Sequence, residues 1–175
     1  HAQDSAGYRA AVLDGTTTAL ELEGGTVDVD GWYQARAGTS LVNHGVSVGH
    51  DAVRIKVMGD PGIGTAVGPA KLRASTPAEL AAIVAAVDQG FRRGAVAAGM
   101  IIEFTPAATP WEILEVFRVA ARYGAAVHVH LRALPEPLYF LETEEILGAA
   151  AATGAAAHIV HIQSSGGEDT PRMLS

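Results

Sequence analysis

Two short apolar runs carry four of the chain's seven histidines: Val127-His128-Val129-His130-Leu131-Arg132 and His158-Ile159-Val160-His161-Ile162-Gln163. Imidazole is the commonest protein ligand for a transition metal. A histidine near the C-terminal end of a buried strand has its Cβ direction fixed by that strand, and in barrel folds the mouth opens at that end. Two such strands, one helix apart, point to a divalent metal held at the top of an α/β sheet or barrel. The chain has no cysteine, so thiolate ligands and disulfides are excluded and a metal must be held by His and Asp/Glu.

Strand parity sorts the candidates, because alternate residues point to opposite faces. His128, His130 and Arg132 share one face of their strand, and His130 lies nearer its C-terminal end. His161 shares a face with Gln163, whereas His158 has the opposite parity and lies deeper. One ligand per strand, His130 and His161, is the economical choice; His128 is a weaker candidate and His158 reads as structural. Glu21 and Glu23 share a face of an earlier strand, with Glu23 last before Gly24-Gly25. A carboxylate there binds one metal, bridges two, or faces solvent at the strand end. Glu103, in Ile101-Ile102-Glu103-Phe104, is followed by a Pro-containing loop, where a capping or salt-bridge role fits equally. Arg54 and Lys56 would meet an anionic substrate group or simply be solvated, and His44 has no distinguishing context.

The elements that must position these residues alternate along the chain. Residues 5–14 read as a helix stopped by Gly15, and Thr16 to Glu23 as a strand ended by Gly24-Gly25. Asp28 or Asp30 caps a short helix through Arg36. Leu41 to His50 reads as a strand. The stretch 59–70, with Gly59, Pro61, Gly62, Gly64, Gly68 and Pro69, reads as a long mobile loop. Thr76-Pro77-Ala78-Glu79 supplies cap, N1 proline and N3 glutamate for a helix to about Arg93, with Leu80, Ile83, Val84, Val87 and Phe91 on one stripe. A strand is expected over Gly94–Phe104. Thr109-Pro110-Trp111-Glu112 repeats the cap signature and opens a helix to Tyr123. A strand over 125–132, a helix near 141–153 and a strand over 156–163 complete the order.

This alternation predicts an α/β fold with a parallel sheet and helices packed outside it. A doubly wound sheet would place a glycine fingerprint after its first strand, and no G-x-G-x-x-G follows residues 16–23. Polar residues instead recur at successive strand ends: Glu21 and Glu23, His50, Glu103, His130 and Arg132, His161 and Gln163. That is the pattern of a TIM (β/α)8 barrel. At 175 residues the chain is shorter than the roughly 250 of a closed eightfold barrel. The expected fold is a partial barrel, about strands 2 to 6 with flanking helices, as one incomplete domain over residues 1–175. The chain opens on His1 rather than Met and ends in Gly166-Gly167-Glu168-Asp169-Thr170-Pro171 before Ser175, which reads as an internal piece truncated at both ends.

Composition is that of a globular α/β chain, 49% hydrophobic and 18% charged. A formal charge of −7 gives no electrostatic reason to expect nucleic acid or an anionic membrane as partner. No apolar run reaches the ~18 residues of a membrane span. The expected partner is a small-molecule substrate, and a cytoplasmic setting is compatible with the lack of cysteine.

Several segments, taken in order, resemble one family. Asp14-Gly15-Thr16-Thr17-Thr18 resembles a G-[IV]-T-T strand, and Val48-Gly49-His50-Asp51-Ala52-Val53-Arg54 a V-G-H-x-x-[LV]-R segment. Gly94-Ala95-Val96 through Phe104-Thr105-Pro106 is similar to a G-A-x-G strand with an aromatic-x-P exit. His130-Leu131-Arg132 resembles an H-[MIV]-R ligand strand, and Val160-His161 a second single-histidine ligand strand. These are segments of the amidohydrolase superfamily, in its branch of N-acyl-D-amino-acid deacylases (D-aminoacylases). That family's first barrel strand ends in H-x-H, and His1-Ala2-Gln3-Asp4 resembles the second histidine of the pair.

The resemblance implies hydrolysis of the C–N amide bond of an N-acyl amino acid by water that one or two divalent ions, Zn²⁺ foremost, activate. It implies His130 and His161 as ligands, Glu23 as a third and His1 as part of a second site. Arg132, Gln163 and His50 are the expected substrate-binding residues. The family's catalytic aspartate would lie beyond Ser175. Two departures stand out. The family's cysteine ligand on the second strand is absent, with Glu23 the nearest acidic substitute, and Gln163 stands where the family carries a substrate-binding lysine. A cyclic amidase of dihydroorotase or hydantoinase type is the rival reading, though residues 94–104 hold no lysine to be carboxylated. A catalytically inactive piece is the other.

Overall fold

The computed structural model describes residues 5–132 and 138–165. Helix α1 (Ser5–Leu13) leads into β1 (Thr18–Thr26), α2 (Val29–Gln34) and β2 (Asn43–Gly49). Helices α3 (His50–Val57), α4 (Pro69–Leu72) and α5 (Pro77–Arg92) precede β3 (Ala98–Ile101). A 3-10 turn over Ile102–Phe104 and α6 (Pro110–Arg122) precede β4 (Val127–His130). Then come α7 (Tyr139–Thr153), β5 (Ala157–Ile159) and α8 (Ile162–Ser165).

All pairings are parallel, and the five strands lie in sequence order β1-β2-β3-β4-β5. A doubly wound sheet reverses direction at a switch point; a strictly sequential order keeps every right-handed crossover on one side, as in a barrel. β1 also comes close to β3 and β4, so the sheet curls. Val48, Ala98, Met100, Val127 and Val129 of the strands pack with Val53, Ile83, Val87, Ile113, Phe117 and Ile146 of the helices in one core cluster. Burying a side chain of this size contributes about 1.5–3 kcal/mol. With Val127 and Val129 drawn into the helix layer, the pleat sends His128 and His130 to the other face.

Both cap signatures form. Thr76 and Glu79 make a full capping box on α5, and the Thr109 side chain accepts from the Glu112 backbone N–H at the start of α6. Other expectations need correction. β1 does not stop at Gly24-Gly25 but runs through them to Thr26. The helix α3 occupies residues read as the end of a strand and its exit; His50, Val53 and Arg54, at helical spacing, are buried on its inner side. The strand expected over 94–104 is only Ala98–Ile101, followed by the 3-10 turn. The segment 59–70 is pinned rather than loose: the Asp60 carboxylate accepts from the backbone N–H groups of Gly62, Val67, Gly68 and Ala70 at 2.8–3.0 Å.

Candidate metal centre

Three side chains converge: Glu23 of β1, His130 at the end of β4, and His161 just after β5. Glu23 Oε1 lies 2.8 Å from His130 Nδ1 and 3.2 Å from His161 Nε2, and those two nitrogens are 3.1 Å apart. The imidazoles stand nearly perpendicular, with an interplanar angle of 78°. Among the described residues this is the one group of three His, Asp or Glu donors close enough to share a metal ion.

Each donor arrives where its strand stops being regular, except His130, the last residue of β4. β1 advances from Glu21 to Thr26 while its partner β2 advances only from Val46 to Val48, so the residues between, Glu23 among them, bulge out of the ladder. Gly25 makes the bulge possible: its φ is +72°, and a Cβ there would lie 2.3 Å from the Ser47 carbonyl oxygen. His161 lies beyond the end of β5, in a left-handed conformation with φ 37°, the one non-glycine residue of that kind among those described. A β5 extended past Ile159 would point residue 161 away from the face of His130; the turn brings it back. Holding a non-glycine residue there costs on the order of 1–3 kcal/mol, and such strain collects at functional sites.

Burial pushes the Glu23 carboxyl up, but hydrogen bonds to His130 and His161, and their charge, outweigh it and leave the pKa below the ordinary value. A carboxylate facing two imidazole nitrogens is the hard-and-borderline N/O donor set that zinc takes, and three protein donors leave a fourth position open, as in catalytic zinc sites. Zinc bonds of about 2.0–2.2 Å at tetrahedral angles separate donors by about 3.3–3.5 Å. The observed separations of 2.8, 3.1 and 3.2 Å fall short of that by less than about 1 Å, so small side-chain movements fit the ion. On its far side His130 presents Nε2 to Glu103 Oε2 at 2.8 Å.

The remaining expected site residues go elsewhere. His50 is fully buried, with no surface to offer a substrate, and its Nε2 donates to Glu112 Oε1 at 2.7 Å. Arg54 Nη1 donates to both Glu112 oxygens, at 2.6 and 2.5 Å, and Ser75 Oγ to Oε2 at 2.6 Å. Burial raises the Glu112 carboxyl, yet the hydrogen bond and charge of His50, with Ser75 and Arg54, bring it down to about 2. Arg54 is therefore a core cation and not an anion-binding residue on a loop. Arg132 is a clamp: Nε and Nη2 donate to Glu145 at 2.7 and 2.9 Å, and Nη1 and Nη2 to the carbonyls of Pro106 and Ala108 at 2.7 and 2.6 Å. Gln163 is exposed on α8, so the parity that paired it with His161 on a strand does not apply. His1 lies outside the described residues.

His158 does not lie deeper: it is exposed, in register with His128 on the same face as His130, and the two Nδ1 atoms are 2.8 Å apart. Burial, then the charge of His158, holds the His128 imidazole below its ordinary pKa. The sequence reading missed the Glu112 network altogether. A second glutamate in the T-P-x-E pattern gave no local sign that it would turn inward.

Solved structures share this architecture. An N-acyl-D-glutamate deacylase from Bordetella bronchiseptica, complexed with zinc and a phosphonate mimic of the tetrahedral intermediate, matches with a TM-score of 0.69 and 22% identity over 86% of this chain and 35% of its own. A D-aminoacylase variant in complex with copper chloride gives 0.67 and 20% over 90% and 36%. A D-aminoacylase described by its binuclear metal centre gives 0.67 and 19% over the same shares. The chain thus spans about a third of the length of these structures. Neither a family model nor a curated protein sequence matches it. In fold, the chain is a five-stranded segment of the (β/α)8 barrel found in the D-aminoacylases.

Proposed function

We propose that this chain carries the metal-binding part of a hydrolase that cleaves the C–N amide bond of a small N-acyl amino acid. The observation that carries the reading is the convergence of donor atoms of Glu23, His130 and His161. A divalent ion there, zinc by donor chemistry, supplies water activation and polarisation of a carbonyl. The chain's own residues do the positioning. β4 fixes His130, the bulge of β1 carries Glu23 across the curled sheet, and the left-handed turn aims His161. Glu23 would supply one carboxylate donor beside two neutral imidazoles, a set that would leave a bound divalent ion with net positive charge. N-acyl-D-amino acids are the first substrates to test, because the neighbouring structures act on that class.

The test is zinc content and affinity of the purified protein, together with release of free amino acid from N-acetyl-D-amino acids. His130→Ala should abolish high-affinity zinc binding at this site and any hydrolysis. Zinc content and turnover unchanged in that variant would overturn the reading.

A further inference from the structure

Both ring nitrogens of His130 lie 2.8 Å from a carboxylate oxygen, and the two sides are not equivalent. Nδ1 faces Glu23 Oε1 and His161 Nε2, while Nε2 faces the Glu103 carboxylate at 2.8 Å. Only Nδ1 can meet the other two donors, so ligation requires the proton to stay on Nε2. We propose that Glu103 is a positioning residue for the metal: its carboxylate takes the Nε2–H of His130 and holds the ring with Nδ1 presented to the ion. This rests on the zinc reading above and adds a residue that reading does not use.

The fold places Glu103 for this. Ile101, the last residue of β3, is in register with His130, and Glu103 follows two residues later on the 3-10 turn. That turn is closed by Thr105 N–H to the Ile102 carbonyl at 2.9 Å. The loop beyond it is held by Arg132, two residues after His130, through the carbonyls of Pro106 and Ala108. Arg132 is in turn fixed by its fork on Glu145. Ligand and orienting carboxylate are thus braced against each other by a cation on the ligand's own strand exit. A carboxylate on the second nitrogen of a ligating histidine fixes ring orientation and raises ligand basicity, and its loss typically costs 10–100-fold in metal affinity.

The experiment uses Glu103→Ala and Glu103→Gln, with His130→Ala as reference. Zinc affinity is measured by competition with a chromophoric chelator, and the His130 ring protons by NMR of the zinc-loaded protein. Glu103 is part-exposed, so both variants should fold. Glu103→Ala should weaken zinc roughly 10–100-fold and lose a hydrogen-bonded, slowly exchanging Nε2 proton. Glu103→Gln keeps an acceptor oxygen and should lose less. Zinc affinity within twofold of the parent in Glu103→Ala, with the ring proton unchanged, would overturn this inference alone. Zinc retained by His130→Ala would instead remove the metal reading on which it stands.

Discussion

Glu112→Gln keeps the size of the side chain and removes its charge from between His50 and Arg54. All three groups are fully buried, so the change leaves the Arg54 guanidinium in the core without its counter-ion. Breaking a buried pair from one side costs about 3–5 kcal/mol. The carboxyl itself gives a similar figure. Its pKa falls from 4.5 to about 2 on folding, which at about 1.4 kcal/mol per pH unit is about 3 kcal/mol. A lowered pKa stabilises above the unfolded value and loses that contribution as pH falls through the folded one. The gap between parent and variant should therefore be about 3 kcal/mol at pH 7 and less than half of that by pH 3. Urea unfolding midpoints at the two pH values read it directly. Glu115→Gln, which breaks the surface pair with Arg118, serves as control and should cost less than about 1 kcal/mol. A Glu112→Gln protein within about 0.5 kcal/mol of the parent at pH 7 would show that the Arg54–Glu112–His50 contact does not hold α3 to α6.

Two further outcomes follow from neighbouring features. Burial raises the Asp51 carboxyl to about 6, against the attraction of His50, and Oδ1 has no hydrogen-bond partner among the described residues. That favours the folded state only while the group is protonated, so stability is lost as pH rises from about 4 to about 6. Asp51→Asn should raise stability by up to about 3 kcal/mol at pH 8 and change little at pH 3.5 in thermal unfolding; a gain that is the same at both pH values would refute the assignment. At the candidate metal centre, His161→Gly accepts the φ of 37° without strain but has no ligand atom. It should unfold within about 1 kcal/mol of the parent yet lose zinc, whereas unchanged zinc affinity would remove His161 from the site.

The alternation of helix and strand, the parallel sheet and both T-P-x-E helix starts were legible in the sequence because each has a local cause. Apolar periodicity, a capping threonine and an N1 proline act within one turn. The histidines were legible for a similar reason: Val127 and Val129 leave no choice about which face His128 and His130 take. What was not legible depended on partners far along the chain. Glu79 and Glu112 occupy the same place in the same pattern. Glu79 closes its capping box, while Glu112 turns to a histidine and an arginine some sixty residues earlier. Similarly, nothing local marks Asp60 as the residue that collects four backbone N–H groups of the following loop.

On the fifth strand, parity singled out a residue that does lie beside His130 and Glu23, but through a geometry the structure does not have. Strand parity, applied through residue 163, set His161 apart from His158 and chose His161. In the structure β5 ends at Ile159, His158 pairs with His128 on the face of His130, and a continued strand would have turned His161 away from it. The left-handed turn reverses that outcome. Glu23 is a parallel case: the bulge that detaches it from the ladder lets a first-strand side chain reach the fourth and fifth strands. A regular parallel strand spaces side chains on one face at about 6.6–6.8 Å along its length and neighbouring strands at about 4.8 Å. Neither spacing brings three donor atoms to about 3 Å. Side chains from adjacent strands in register can still meet, as His128 and His158 do, but Glu23 on β1 reaches His130 and His161 across the curled sheet from a break in its ladder. The irregularities in β1 and after β5 are thus where the chain departs from ideal geometry, and they bring Glu23 and His161 to His130.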